Sequence, residues 1–461
     1  MFAEPSSWNL VLRSGARFHS GKHGFCRYSL FPGRVSNRVR TLPAHEKPCM
    51  AMLSFVILVS VIFIRYSESI NSQVSTVKVV QLGCGVTGLV CAEHLEHNPK
   101  VDELVLADKQ TQPAAELAER STNDKTTLQK TDANDLSDLK KLMRGCDLVV
   151  TSIPSDFNPM LLKAALAVGV DYVDFTIPMR TILHFDEIGK ACEDAGIRAL
   201  TAVGSDPGIS DVFAMHGAAK LDEVHEIHIK DADNATSPDY EVFTLWCTND
   251  MLDEITMKAA VYENGTINWL PPLSRKELFA FPDPVGAHTV YNTTHDETFL
   301  IPKFLKNVKY VDFMIVVPDK LALLANTMRD LGLHSKKPIK VKGVEVKPLE
   351  VVAACLPNPF DMVGKIKGSA GIMVDAIGMR KGEKCRVRTW VGMTHEDAFK
   401  MHSSTATGYL VGTGAAIGAE MLVAGDVKHS GLFVPEMLPI ERYMHRMKGK
   451  GLTVHHEIAA M

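Results

Sequence analysis

The chain has no CxxC pair, no HExxH segment, no excess of basic residues and no apolar run of 18 residues. Each absence removes a class of protein. Lys plus Arg is 50 against 54 for Asp plus Glu, a net charge of −4. That balance speaks against a protein built to coat nucleic acid, so no nucleic-acid partner is expected. Nine cysteines, an odd number at irregular spacing, give neither a disulfide framework nor a zinc ligand set, and no metal site is expected. A reduced, intracellular protein of cytoplasmic or mitochondrial type follows. An apolar content of 46% with 23% charged residues excludes a disordered, collagenous or multi-span membrane chain. The 461 residues suit two or three domains at roughly 150 residues each.

Residues 1–76 read differently from the rest. Arg13, Arg17, Arg27, Arg34, Arg38 and Arg40 stand against only Glu4 and Glu46 in the first 48 residues. That composition is of the transit-peptide kind. Cys49 to Ile64 is an uncharged run of sixteen residues, below the roughly 18–20 that span a bilayer. A membrane contact through 49–64, a cleaved targeting segment and a stretch that is not part of the mature protein are all open readings. In each of them this segment lies outside the fold.

At Val77 the pattern becomes that of a dinucleotide-binding domain. Val77 to Leu82 is a β-branched strand, Gly83-Cys84-Gly85-Val86-Thr87-Gly88 follows at once, and a helical stretch runs on from Leu89 to Glu96. Gly83 permits the tight turn, Gly85 lets backbone approach a pyrophosphate, and Gly88 lets helix and strand pack closely. The helix N-terminus then offers unpaired N–H groups to the phosphates. A second strand, Leu104 to Ala107, ends in Asp108, twenty residues after Gly88, where an acid meets the ribose hydroxyls. A carboxylate there repels a 2′-phosphate, so the cofactor is read as NAD, with NADP possible because Lys109 is adjacent.

Strand and helix then alternate. Strands are expected at 127–130, 147–152, 170–174 and 197–203, with helices at 135–144, 159–168 and 182–195. Six strands in this order make an α/β, Rossmann-type doubly wound parallel sheet. Ligands bind beyond the carboxyl ends of such strands. The polar residues placed there are Asp108, Asp132, Ser152, Asp174 and Ser205-Asp206, each of which serves equally well as an ordinary helix cap or turn residue.

After Gly204 the periodicity changes to two. Strands are expected at 226–230, 243–246, 308–317, 339–346 and 384–391. Residues 260–263 and 266–269 flank Asn264-Gly265, a type I′ hairpin signal. An inserted α+β domain of mainly antiparallel sheet results, for substrate and dimerisation. His225, His228, His288, His295, His395 and His402 fall in or near it without metal-ligand spacing, and each reads as a structural histidine. Gly412, Gly414 and Gly418 mimic a nucleotide loop, but no strand precedes them. Small residues at helical spacing fit instead a helix packed closely on the first domain and stopped at Gly425. The expected boundaries are 77–205 for the dinucleotide domain, 206–399 for the substrate domain and 400–461 for a segment returning to the first.

Gly83 to Gly88, Thr151-Ser152-Ile153-Pro154, Asp171-Tyr172-Val173-Asp174, the loop Gly204-Ser205-Asp206-Pro207-Gly208-Ile209, and the tail Thr407 to Gly425 with Pro435-Glu436 together resemble the saccharopine dehydrogenase family, nearest its lysine 6-dehydrogenase branch. The resemblance implies a nicotinamide cofactor, a small amino-acid substrate, a homodimer and hydride transfer at an amine-bearing carbon of lysine or a lysine-derived compound. Saccharopine-forming or carboxylated-polyamine reduction is the alternative, and an inactive dinucleotide-binding scaffold is a non-enzymatic one. It further implies cofactor contacts from Gly83, Cys84, Gly85, Val86, Thr87, Gly88, Asp108, Asp132, Ser152 and Pro154. Substrate contacts would come from Asp171, Ser205 and Asp206. The chemistry would fall to Asp206, with Asp174 and Tyr172 as further candidates.

Overall fold

The computed structural model describes residues 9–11, 17–20, 26–29, 77–121 and 124–461. Strands β1 (Asn9–Val11), β2 (Arg17–Ser20) and β3 (Cys26–Ser29) form a small antiparallel sheet. They belong to a unit, Met1–Val74, separate from Ser75–Met461. The apolar run 49–64 lies outside the described residues.

In the larger unit, β4 (Val77–Leu82), β5 (Val101–Asp108), β6 (Thr126–Lys130), β7 (Leu148–Thr151), β8 (Asp171–Asp174) and β9 (Arg198–Leu200) are parallel, in the order β6-β5-β4-β7-β8-β9. The central strands β4, β7 and β8 are buried on both faces because helices cover both, whereas the edge strand β6 is mostly exposed. Val79, Leu104, Leu106, Val150 and Val173 feed one core, and Val80, Leu82, Val105, Val149 and Tyr172 the other. A seventh strand, β20 (Gly431–Phe433), pairs in parallel with β9. It is too short to show a period in the sequence and was not expected. The helix expected over 182–195 is interrupted at His184 into Met179–Leu183 and Phe185–Ala195.

The second sheet has nine strands. Its main path runs from β12 (Thr266–Leu270) through β11 (Ala259–Glu263), β15 (Tyr310–Val316), β10 (Glu223–Asp233), β18 (Ser369–Arg380) and β19 (Glu383–Thr394) to β21 (His455–Ala460). The hairpin of β13 (Lys276–Ala280) and β14 (Ala287–Asn292) joins at β15. All pairings are antiparallel except β10 with β15. The Asn264-Gly265 turn has positive φ at both residues (48° and 89°), as its sequence demands. Residues 339–346 form a separate two-stranded hairpin, β16 (Ile339–Val341) and β17 (Val344–Val346). Residues 243–246 are not a strand: Leu245 is buried against Met362 and Ile366, so its apolar neighbours serve a loop cluster.

The tail does not only return to the first domain. Ala406–Ala424 is the expected helix, closed by Gly425 at φ 75°. It lies on the helix Val86–Glu96 so closely that a Cβ at Gly412 would meet the Thr87 carbonyl at 2.4 Å, and one at Gly414 the Gly204 carbonyl at 2.0 Å. The last strand, β21, instead completes the second sheet.

Candidate active site

The phosphate end is built from backbone. Gly83 sits at φ 98°, with its N–H donating to the Ala107 carbonyl. A Cβ at Gly88 would meet Ser152 Oγ at 2.2 Å and the Gly83 carbonyl at 2.3 Å, which is why helix and strand tolerate only glycine there. The first intrahelical bond runs from the Leu89 N–H to the Gly85 carbonyl, and no side chain caps the helix. The N–H groups of Val86, Thr87 and Gly88 therefore precede the helical ladder and suit an anion. A Cβ at Gly85 meets nothing within 4 Å, so that side of the loop is open. Asp108 reaches back to the same loop: Oδ2 accepts the Cys84 N–H at 2.8 Å and Oδ1 the Gln110 N–H at 2.7 Å. An anion-binding helix start beside a carboxylate matches the pyrophosphate and ribose of a nicotinamide dinucleotide.

The other expected cofactor residues divide. Ser152 Oγ donates to the Gly83 carbonyl at 2.9 Å and accepts from Gln81 Nε2 at 3.0 Å, so it props the glycine turn from below. Pro154 is exposed just beyond β7, at the correct end of the sheet. Asp132 is exposed beyond β6, where Asn134 donates to its carboxylate and holds its pKa below the usual range.

Three residues expected at the substrate side do other work, and this corrects the sequence reading. Asp171 lies at the amino end of β8, the wrong end for a ligand. It pairs with Arg198, whose Nε is 2.8 Å away. Arg198 also donates to the Leu422 and Val427 carbonyls and so ties the tail helix to the sheet. Tyr172 and Asp174 are at the correct strand but buried, 0% and 3% exposed. Tyr172 donates to Asp174 Oδ2 at 2.7 Å and Thr201 Oγ1 to Oδ1 at 2.6 Å. Both carboxyl oxygens are thus occupied, Oδ2 within β8 and Oδ1 across to the end of β9. Burial lifts Asp174 to about 7, against the hydrogen bonds from Thr201 and Tyr172.

Asp206 is placed otherwise. The chain leaves β9 through Ala202, a non-glycine residue at φ 64°, a strained conformation of the kind found at functional turns. It then folds Ser205-Asp206-Pro207-Gly208 into a tight turn closed by the Gly204 N–H on the Pro207 carbonyl, 2.7 Å. Gly208, at φ 136°, starts the helix Ile209–Ala218. Ser205 donates to Asp206 Oδ1. Five ionisable groups from the second domain surround the Asp206 side chain, directly or through one another. Asp231 and Asp233 share the β10 face of Ile227 and Ile229, which packs into the common core. Glu254 comes from the helix Thr248–Thr256 and accepts from Thr293 Oγ1 at 3.0 Å. His295 stacks on Phe313, with ring centroids 3.9 Å apart, and its Nδ1 lies 2.6 Å from Glu297 Oε2. Ser210 donates to the other Glu297 oxygen at 2.6 Å.

The charges follow from this packing. Burial alone would neutralise His295, but Glu297, Glu254 and Asp206 outweigh it and hold the ring's pKa well above its ordinary value. Burial would also raise Glu297, yet His295 draws it below the usual range, so the two form an ion pair. Burial pushes Asp206 up to about 7, with His295 opposing and Glu297 and Glu254 adding to the rise. Asp231 is raised well above its ordinary value, by burial and then by Asp206, Glu254 and Asp233. The result is a carboxyl poised near neutrality, among other acids and beside one imidazolium. The sequence pattern reads His295 as structural and does not single out Asp231, Glu254 or Glu297. Paired acids on the apolar face of β10 were the signal available for Asp231 and Asp233.

Comparison with known proteins identifies the two domains. Residues 79–200 match the saccharopine dehydrogenase NADP binding domain and residues 204–452 the saccharopine dehydrogenase C-terminal domain. The chain is 26% identical over 400 residues to carboxynorspermidine synthase of Vibrio alginolyticus, covering 82% of this chain and 96% of that protein. It is 25% identical over 390 residues to carboxyaminopropylagmatine dehydrogenase of Synechocystis, covering 83% and 98%. Among solved structures, the L-Glu-forming saccharopine dehydrogenase of Saccharomyces cerevisiae shares the fold at TM-score 0.62 and 16% identity, over 83% of this chain and all of that one (100%). Homospermidine synthase of Legionella pneumophila, in complex with NAD, does so at TM-score 0.60 and 14% identity, over 83% and 92%. The chain belongs to the saccharopine dehydrogenase family and is an oxidoreductase that uses a nicotinamide dinucleotide for hydride transfer at an amine-bearing carbon.

Proposed function

We propose that the substrate is a carboxylated polyamine, that the cofactor is NAD, and that Asp206 is the general base. The observation that carries the substrate is the gathering of Asp206, Asp231 and Glu254, half-buried carboxyls of which Glu254 raises the pKa of the other two and Asp206 that of Asp231. Such a cluster is relieved by a ligand with more than one ammonium group. Lysine offers two ammonium groups, one of them on its carboxyl-bearing carbon, whereas the polyamines named for the two full-length relatives offer more basic groups. Asp108 supports NAD, since its carboxylate would repel a 2′-phosphate.

The bound cofactor supplies the hydride acceptor. In the oxidative direction Asp206 takes the proton that the secondary amine must shed. The nitrogen lone pair then forms the C=N bond as the C–H bond breaks and its electron pair leaves as hydride. His295, held charged by Glu297, keeps positive charge beside Asp206 and restrains its rise in pKa. Asp231 and Glu254 hold the second ammonium and so fix which carbon faces the cofactor. Because Asp206 must be ionised to act, oxidation rises with pH through about 7, and reductive amination falls across the same interval.

The test is a turnover screen of the full chain with NAD and NADP, offering carboxynorspermidine, saccharopine and lysine and following reduced-nicotinamide absorbance. Faster oxidation of the polyamine with NAD is the expected result. A preference for saccharopine or lysine would overturn the substrate assignment, and a preference for NADP the cofactor assignment.

A further inference from the structure

The Pro435-Glu436 segment has no part in the chemistry so far, yet it carries the least satisfied side chain beside the site. Glu436 stands in the short 3₁₀ turn Pro435–Met437, just past the carboxyl end of β20, and is 6% exposed. Neither of its carboxyl oxygens finds a donor in good hydrogen-bonding geometry, and only its own backbone N–H acts on it. Opposite it is Asp211, in the first turn of the helix Ile209–Ala218 and 0% exposed. Asp211 Oδ2 accepts the Gly208 N–H at 2.7 Å, while Oδ1 is also without a donor. The two carboxyls are within hydrogen-bonding reach of each other. Neither makes a salt bridge among the described residues.

Three buried oxygens without donors would cost several kcal/mol as two bare carboxylates, and like charges so placed cannot both ionise. Their surroundings add no relief. Glu297 and Asp296 face Glu436 from the start of the helix Glu297–Phe304, and Glu297 also acts on Asp211. From the helix Ile440–Gly449 comes Tyr443, whose hydroxyl already donates to the Gly414 carbonyl. A proton on the pair is the remaining donor.

We propose that Asp211 and Glu436 share a proton, and that this bridged pair is the strut that holds the Asp206 turn in the cleft. Glu436 is then a positioning residue for the reaction. Its action runs through Asp211 to the Gly208 N–H, two residues from Asp206. The strut explains why the tail returns past β9: β20 carries Glu436 to the one turn that must not move. Burial pushes Glu436 up to about 8, so the bridge is intact at neutral pH and is lost above it. Ionising the pair sets two anions against each other next to Glu297 and loosens the turn.

The inference rests on Asp206 being the base, and the two are separable by experiment. Amine oxidation by the full chain is measured from neutral to alkaline pH for the wild type and for Glu436→Gln and Asp211→Asn. Each amide supplies its own N–H and needs no shared proton. The wild type should lose about tenfold in kcat per pH unit once the bridge ionises, as a single titration requires. Both variants should lose less than about twofold across the same range. Ionisation of the substrate amine is common to all three and cancels from the ratio. Glu436→Ala, which cannot bridge, should lower kcat at every pH with binding of reduced cofactor, read by fluorescence, unchanged. An alkaline fall in the amide variants equal to that of the wild type would overturn the proposal, as would wild-type kcat in Glu436→Ala. Asp206→Asn is measured in parallel at neutral pH. Full activity there would remove the base assignment while leaving the amide comparison to decide the strut.

Discussion

The two ends of the cleft are made of different materials. At the cofactor end the ligand-facing groups are backbone: the N–H groups of Val86, Thr87 and Gly88, with the single side chain of Asp108. At the proposed substrate end they are half-buried ionisable side chains, Asp206, Asp231, Glu254 and His295, drawn from four separate stretches of chain. Backbone N–H groups keep their polarity at any pH and admit any pyrophosphate. Half-buried carboxyls are titratable, mutually dependent and selective. The first arrangement suits a cofactor common to many enzymes. The second suits a substrate that only a few must recognise, and it gives such an enzyme a pH dependence that its cofactor site lacks.

That contrast can be broken most sharply at Gly88. A Val side chain there would run into the Gly83 carbonyl and Ser152, neither of which can retreat without moving β4 or β7. We expect Gly88→Val to cost more than about 3 kcal/mol and to abolish binding of reduced cofactor, checked by chemical denaturation and fluorescence titration. Retained binding would show that helix and sheet are less tightly joined than described. A smaller loss is expected at Asp108→Ala. It removes charge-assisted hydrogen bonds and should weaken NAD binding by about 10- to 100-fold, with no change in the pH dependence of kcat. A shifted pH profile would mean that the two ends are electrically coupled. The smallest effect on catalysis is expected at Asp171→Asn. Breaking the Arg198 pair at the far edge of β8 should lower stability by about 2 kcal/mol in urea and leave kcat/KM within twofold. A drop in kcat without a drop in stability would return Asp171 to the substrate side.

The same contrast explains what could be read in advance. The cofactor end is written in one stretch, Gly83 to Gly88, with Asp108 twenty residues on, because one strand-turn-helix unit makes the whole phosphate cradle. The alternation of strand and helix through Leu200 was equally local. At the substrate end only Asp206 was visible, since its turn is marked by Pro207 and Gly208. His295 passed for a structural histidine because its partners Glu297, Phe313 and Asp206 have no common spacing and meet only through the sheet. Tyr172 and Asp174 were read as cleft residues from their place near a strand end, but Thr201 consumes the carboxylate they share. Asp171 illustrates the cost of ignoring strand direction. Residues three apart on β8 lie at opposite edges of the sheet, and only Asp174 is at the edge where ligands bind.

The closing pair of strands has a bearing on how the molecule is made. β20 finishes the parallel layer and β21 the mixed one, and both come from the last thirty-one residues, 431–461. While those residues are still inside the ribosome, β9 and β19 each present a bare row of peptide groups, an invitation to pair with a neighbouring nascent chain. Synthesis speed over the final helix, and any chaperone that shields two raw margins at once, should therefore govern yield more strongly than the sturdiness of either layer would suggest.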